Sequence, residues 1–366
     1  MNQESIAGKI LHFLKKDVVL TASLILAVLS CFLNPPGKEY AGFIDFHTLI
    51  LLFCLMLIIE GLRSLNFFHY IGSILLSNVS SKRGLALTLV FLCFFSSMLI
   101  TNDVALITFI PFGIMLLEMC SMTDSLCLTV TLMTIAANLG SMFTPIGNPQ
   151  NIYLYSLSGM SLKEFFLLTL PCTAAAGILL AACILPGYKK ESIEIRMTDA
   201  SVSDKQSIVF FLVLFFLCLT TVAGVLPHEL LFVVISVAIL AVNRKLFTQV
   251  DYSLLLTFIF FFVFVGNIRQ TEGLYTLLTR ALEGHEKLVG IAASQVISNV
   301  PAAMLLSGCT ENIRALILGT NIGGLGTLIA SMASLISYRQ LAGKYPQERG
   351  KYLKLFTLYN IVFLPI

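Results

Sequence analysis

Two stretches decide how this chain folds: ANLGSMFTPIGNPQN (Ala137–Asn151) and TNIGGLGTLIASMAS (Thr320–Ser334). With Asn138 laid over Asn321, Gly140 falls on Gly323, Thr144 on Thr327, Ile146 on Ile329, Asn148 on Ser331 and Asn151 on Ser334, and Tyr155 falls on Tyr338 just beyond. Each stretch starts as an apolar run and is then broken by glycine, proline, amides and hydroxyls. A matched pair of interrupted apolar segments, one per half of a membrane protein, points to a solute site between inverted repeats.

The surrounding composition is that of a membrane protein. The chain is 57% hydrophobic and 12% charged, with a mean hydropathy of +0.91. A soluble domain carries about twice that charge. Apolar runs long enough to cross a hydrocarbon core about 30 Å thick recur throughout. The expected fold is an all-α polytopic membrane protein with about 10–11 membrane elements besides two re-entrant hairpins. Met1–Asp17 is polar and basic, with no small-residue cleavage site after the first apolar run, so no cleavable signal peptide is expected. Without tryptophan, tyrosine and phenylalanine must supply the aromatic belt. The nine cysteines lie in or beside apolar runs with no CxxC and no Cys/His cluster, which suits packing and predicts no metal or cofactor. A net charge of +3 with scattered basic residues gives no reason for a nucleic-acid partner.

Basic residues set the orientation. With a cytoplasmic N-terminus, Lys9, Lys15, Lys16, Arg63, Lys82, Arg83, Lys189, Lys190, Arg196, Lys205, Arg244, Lys245, Arg339, Lys344, Arg349, Lys351 and Lys354 share the inner side, against Lys38, Lys163, Arg269, Arg280, Lys287 and Arg314 outside. The threading closes only if two segments, 85–117 and 287–307, enter and leave from one side as hairpins. A second match supports two halves. Asp45-Phe46 opens a helix ending Gly61-Leu62-Arg63, and Asp251-Tyr252 opens one ending Asn267-Ile268-Arg269 at the same spacing but in the opposite direction. The first half is then 1–186, with its hairpin at 85–117 and its broken helix at 125–157. The second is 207–366, with its hairpin at 287–307 and its broken helix at 313–340. The charged segment 187–206 between them is expected to be a cytoplasmic linker. SLKEFFLLTLP (Ser161–Pro171) also resembles YLKLFTLYNIV (Tyr352–Val362); the first copy continues as a full span and the second stops at Ile366, so by the repeat the last helix is stunted or cut short.

The hairpins turn at SSMLITND (Ser96–Asp103) and SQVISN (Ser294–Asn299). A turn at membrane depth is tolerated only where protein packs it or it lines a watery cavity. Helix N-termini there attract anions, and freed carbonyls attract cations. Asp103 is the sharpest single residue, since a carboxylate at mid-membrane costs about 2.5–3.5 kcal/mol on insertion scales. It suits a coupling cation or a carried proton, or it caps the returning helix. Asn102 and Asn299 hold matching tip positions, as ligands for Na⁺ or a carboxylate or as turn caps. Thr144 and Thr327 offer hydroxyls to a substrate or pack helices. Arg63 and Arg269 read as snorkelling side chains, and Glu60 and Glu118 as interfacial.

TNDVALITFIP, ANLGSMFTPIGNPQN, SNVPAAML and TNIGGLGTLIAS together resemble the ion transporter superfamily, which holds citrate and dicarboxylate symporters, arsenite permeases and some Na⁺/H⁺ antiporters. The resemblance spans nearly the whole chain and is strongest to citrate-transporter-like proteins of the YbiR type. It implies a scaffold part, a transport part and a homodimer in a bacterial-type inner membrane. In the dicarboxylate branch, Ser-Asn-Thr triplets at both tips bind carboxylates and help hold sodium. Here the triplets read Thr101-Asn102-Asp103 and Ser298-Asn299-Val300, so the asparagines carry over and the last threonines do not. The expected function is secondary active transport of a small carboxylate or inorganic oxyanion coupled to Na⁺ or H⁺. Asn102, Thr144, Asn148, Asn299 and Thr327 would face the substrate. Ser97, Asn102, Asp103, Gly140, Ser298, Asn299 and Gly323 would face the coupling ion. The alternative is cation/proton antiport or arsenite-type efflux, with Asp103 as proton carrier. A membrane-embedded enzyme would need a convergent His, Ser/Cys or multi-carboxylate set, and the sequence offers none.

Overall fold

The structure, a computed structural model, describes residues 18–76, 79–193 and 204–366. The basic N-terminal stretch with Lys9, Lys15 and Lys16, and residues 194–203 of the expected linker, lie outside the described residues. The fold is all-helical. In chain order, the first half runs through α1 (Val18–Ser30), α2 (Phe46–Ser64), α3 (Phe67–Leu76), α4 (Lys82–Ile100), α5 (Asn102–Met119), α6 (Leu126–Ser141), α7 (Pro149–Ser158) and α8 (Leu162–Gly187). The second runs through α9 (Lys205–Val222), α10 (His228–Asn243), α11 (Tyr252–Gln270), α12 (Glu272–Leu282), α13 (Glu286–Ile297), α14 (Asn299–Ser307), α15 (Ile313–Ile322), α16 (Met332–Lys344) and α17 (Arg349–Phe363). Among the described residues, seven helices are long and apolar enough to cross a membrane. The chain is a multi-pass membrane protein.

Capping residues start the matched helices at matched places. Asp45 accepts from the Thr48 N–H at 3.0 Å to open α2, and Asp251 accepts from the Leu254 N–H at 3.1 Å to open α11. Both helices are 19 residues long. Each is followed by a short helix that the sequence reading left out, α3 after α2 and α12 after α11. FFHYIGSILL and EGLYTLLTRAL, at 10 and 11 residues, are too short to cross a membrane.

The two hairpins are α4–α5 and α13–α14. They differ in length. The arms of the first have 19 and 18 residues and meet the length and composition of a span. The arms of the second have 12 and 9 residues and do not. The first hairpin also starts earlier than the expected residue 85. Ser81 accepts from the Gly84 N–H, and the chain of the expected linker runs beside that start. The Lys82 N–H donates to the Glu191 carbonyl, the Ile193 N–H donates to the Ser80 carbonyl, and Lys82 Nζ lies 2.5 Å from the Glu191 carboxylate. Residues up to Ile193 are thus tied to the hairpin base rather than looping free.

Each hairpin packs against the broken helix of its own half, α4 on α6 and α13 on α15. Its returning arm then crosses to the other half, with α5 packing on α16 and α14 on α7. Helices α9 and α10 flank α2, and α1 lies along α11, which places α2 and α11 between this scaffold and the hairpins.

Candidate functional site

The two hairpin tips have the same backbone. Thr101 has φ 62° and ψ 149°, and Ser298 has φ 74° and ψ 154°. Non-glycine residues rarely adopt this region. At each tip the next asparagine folds back on its neighbour. Asn102 Oδ1 accepts from the Asp103 N–H at 2.9 Å, and Asn299 Oδ1 accepts from the Val300 N–H at 3.0 Å. The turn-cap role foreseen for these residues is present, and it leaves each Nδ2 for other partners.

The broken helices are stitched crosswise. Asn138, in the last turn of α6, accepts from Asn102 Nδ2 at 2.9 Å and from Ser331 Oγ at 2.9 Å, and donates to Ser334 Oγ at 3.4 Å. Asn321, its counterpart in α15, donates to Asn151 Oδ1 at 2.6 Å and accepts from Asn148 Nδ2 at 3.3 Å. Each half's broken helix therefore bonds to the restart of the other half's helix. Asn148 and Ser331 hold those restarts in matching extended conformations, φ −144° in both.

Gly140 and Gly323 let the broken helices approach the hairpins. A Cβ on Gly140 would stand 2.1 Å from the Phe94 carbonyl oxygen and 2.7 Å from Ser97 Oγ; one on Gly323 would stand 2.6 Å from Ser294 Oγ. Behind the tips, Thr144 Oγ1 donates to the Met98 carbonyl, and Thr327 Oγ1 donates to the Gln295 carbonyl at 3.0 Å. Gln295, which the sequence did not single out, holds the second break open. Its Nε2 donates to the Gly323 and Leu325 carbonyls at 2.9 and 2.8 Å, and its Oε1 accepts from the Thr327 N–H at 2.9 Å.

Between the tips and α2 lies a cavity of about 270 Å³. Asn102, Asp103, Asn148, Ser298 and Asn299 line it, as expected of substrate or ion ligands. Ser97, Gly140, Thr144, Gly323 and Thr327 do not. Four helices present their N-termini to it: α5, α7, α14 and α16, although the Asp103 and Val300 amides are taken by the tip asparagines, the Asn299 N–H donates to the Ala330 carbonyl, and Pro149 and Pro301 have no N–H. Among the described residues no Lys, Arg or His lines the cavity, whereas Glu60, Asp103 and Asp251 do. Glu60 also pairs with Arg63 at 3.0 Å, so it belongs to the cavity wall as well as to the α2 end. Arg269 does not simply snorkel, since it donates to the Gly308 and Ser307 carbonyls at 3.0 and 3.1 Å and caps the end of α14. Glu118 stays at an edge, paired with Lys344 at 2.7 Å.

Sequence reasoning also missed Gln150, Thr257 and Asp251 in the cavity wall. Gln150 carried a signal, a polar side chain within a segment read as a membrane helix. Among the described residues, no group of three or more His, Cys, Asp or Glu side chains could hold a metal ion.

A multi-pass helical protein that brings two hairpin tips and two broken helices to one polar cavity is built as a membrane transporter. Comparison with known proteins gives the same class. Residues 6–314 match the CitMHS family, described as citrate transporter, and the chain belongs to that family. It is 37% identical over 345 residues to "Uncharacterized transporter MJ0456" of Methanocaldococcus jannaschii, covering 93% of this chain and 92% of that one. It is 30% identical over 309 residues to "Inner membrane protein YbiR" of Escherichia coli, covering 83% and 82%. A partial match, 30% identical over 148 residues, covers 40% of this chain and 30% of "Silicon efflux transporter LSI3" of Oryza sativa.

Proposed function

We propose that this transporter is secondary and active. It carries a small anion, a carboxylate or inorganic oxyanion, and couples it to Na⁺ or H⁺ by alternating access. The observation that carries this reading is the convergence of four helix N-termini on a cavity without a basic side chain among the described residues. Each N-terminus holds a partial positive charge, so together they favour an anion without an ion pair that would slow its release. Asn102, Asn148 and Asn299 supply side-chain contacts. Thr144 and Thr327 act indirectly by pinning the tips. The coupling cation sits by Asp103, in reach of the tip residues Asn102, Ser298 and Asn299, with Ser97, Gly140 and Gly323 behind them.

The relatives' names support transport rather than enzymatic turnover. A bacterial-type inner membrane, a cytoplasmic N-terminus and a homodimer complete the proposal. The hairpins and broken helices would move as a body against the scaffold around α2 and α11.

The test is uptake into proteoliposomes of carboxylates and oxyanions, driven separately by a sodium gradient and by a proton gradient. Uptake by wild type that is lost in Asn102→Ala and Asn299→Ala supports the reading; normal uptake by both variants defeats it. The acidic wall of Glu60, Asp103 and Asp251 favours a second reading, cation/proton antiport or efflux of a weak oxyacid. Asp103→Asn separates the two. It abolishes antiport, but leaves sodium-driven anion uptake partly intact.

A further inference from the structure

Beside the tips, the cavity wall holds amide groups with nothing to bind. Gln150 is fully buried, and neither its Oε1 nor its Nε2 has a partner among the described residues. Asn148 is 2% exposed, and its Oδ1 is also without a partner. Both line the cavity at the start of α7, where that helix packs on α2. A buried amide left unsatisfied is costly, and such groups are rare in folded proteins.

The orientation of Asn148 is fixed by its other end. Its Nδ2 donates to Ser141 Oγ at 2.6 Å and to Asn321 Oδ1 at 3.3 Å, so the free atom is an acceptor. An acceptor oxygen repels a bare oxyanion. It needs a donor, and the cavity wall offers none that reaches it. Gln150 adds one acceptor and one NH₂ donor two residues on. The pair therefore matches a ligand that presents an O–H next to an anionic oxygen: the O–H donates to Asn148 Oδ1 or Gln150 Oε1, and the anionic oxygen accepts from Gln150 Nε2.

We propose that Gln150 and Asn148 form a specificity element that reads a protonated oxygen on the transported anion, so that hydroxylated or monoprotonated oxyanions bind ahead of analogues lacking the O–H. This rests on the anion reading above. A site built to bond a hydroxyl rejects the analogue without it, because its own buried groups are then left unpaired.

The experiment is thermal unfolding of the purified full chain, wild type against Gln150→Leu and Gln150→Met. It is run ligand-free and then with malate or succinate and with citrate or tricarballylate, pairs that differ by one hydroxyl, each in sodium and in choline. Ligand-free, both variants should melt a few degrees above wild type, because an apolar side chain replaces an unpaired amide. The hydroxylated member of a pair should raise the wild-type Tm more than its partner does, and the variants should lose that difference. A ligand-free Tm below wild type in both variants means that Gln150 is bonded for structure, and the proposal falls. A raised ligand-free Tm with the hydroxyl preference intact also overturns it, as does a loss confined to sodium and independent of the hydroxyl, which would assign the pair to the cation. If none of these anions stabilises wild type while the variants are still stabilised ligand-free, the anion reading itself fails and the O–H element falls with it.

Discussion

Asn102 Nδ2 donates to Asn138 Oδ1 at 2.9 Å with both residues buried, which ties the first hairpin tip to the last turn of the broken helix α6. The same Asn138 oxygen accepts from Ser331 of the other half, so one amide joins a hairpin and two broken helices. A double-mutant cycle of Asn102→Ala and Asn138→Ala should show a coupling of ~0.5–3 kcal/mol. Asn138→Ala alone should cost more than Asn102→Ala, since it also strands the Ser331 and Ser334 hydroxyls, against the single Asp103 N–H that Asn102→Ala also strands. Denaturant or thermal unfolding of the four proteins checks both; additive effects would deny the link.

Gly140→Ala should cost more than ~3 kcal/mol or yield no folded protein, because the new methyl meets a backbone carbonyl that cannot move aside. Gly177→Ala is the control. Its Cβ would stand 3.7 Å from the Phe94 ring, an ordinary contact, and the change should be neutral or slightly stabilising. Yield of monodisperse protein and Tm distinguish the two.

Thr101→Gly should stabilise the fold. A β-branched residue at φ 62° and ψ 149° holds strain of ~1–3 kcal/mol, against ~0.5–1 kcal/mol of extra unfolded-state entropy for glycine. Ser298→Gly should act in the same direction at the other tip. A fall in Tm for both would show that the tips are held by their side chains rather than strained.

Asp204 caps α9 outside the membrane spans. Hydrogen bonds from the Ser207 hydroxyl and N–H hold its carboxyl below the usual aspartate range. The sign follows from that depression. The contribution is present above the unfolded pKa, about 3.9, and is lost as pH falls through the lower folded value. The Tm gap between wild type and Asp204→Ala should be steady near neutral pH and close progressively below about pH 4. A gap that widens on acidification would contradict it.

Much of this arrangement can be read from the sequence because the repeat is written in residues whose role does not depend on their surroundings. Gly140 and Gly323 align because each meets the hairpin of its own half where a Cβ has no room, and Asn138 and Asn321 because each crosses to the other half. Direction is harder to read. Thr144 and Thr327 are correctly paired by sequence, yet their hydroxyls turn to the Met98 and Gln295 carbonyls, not to the cavity. A hydroxyl can satisfy a nearby carbonyl as easily as a ligand, and spacing does not say which. Glu60 reads as interfacial in the sequence, and only the packing of α2 shows its place in the cavity wall. The helices α3 and α12 were missed because, at 10 and 11 residues, they fall short of the length by which a membrane span is recognised.

The crosswise stitching also bears on assembly. Asn138 reaches Ser331 and Ser334, while Asn321 reaches Asn148 and Asn151, so each half lends the other the polar partners that its own break lacks. A half made alone would expose those amides to lipid. The gene could therefore be cut between the codons for Ile193 and Asp204, and two separately synthesised fragments should find each other in the membrane and co-purify, while either fragment by itself should be degraded.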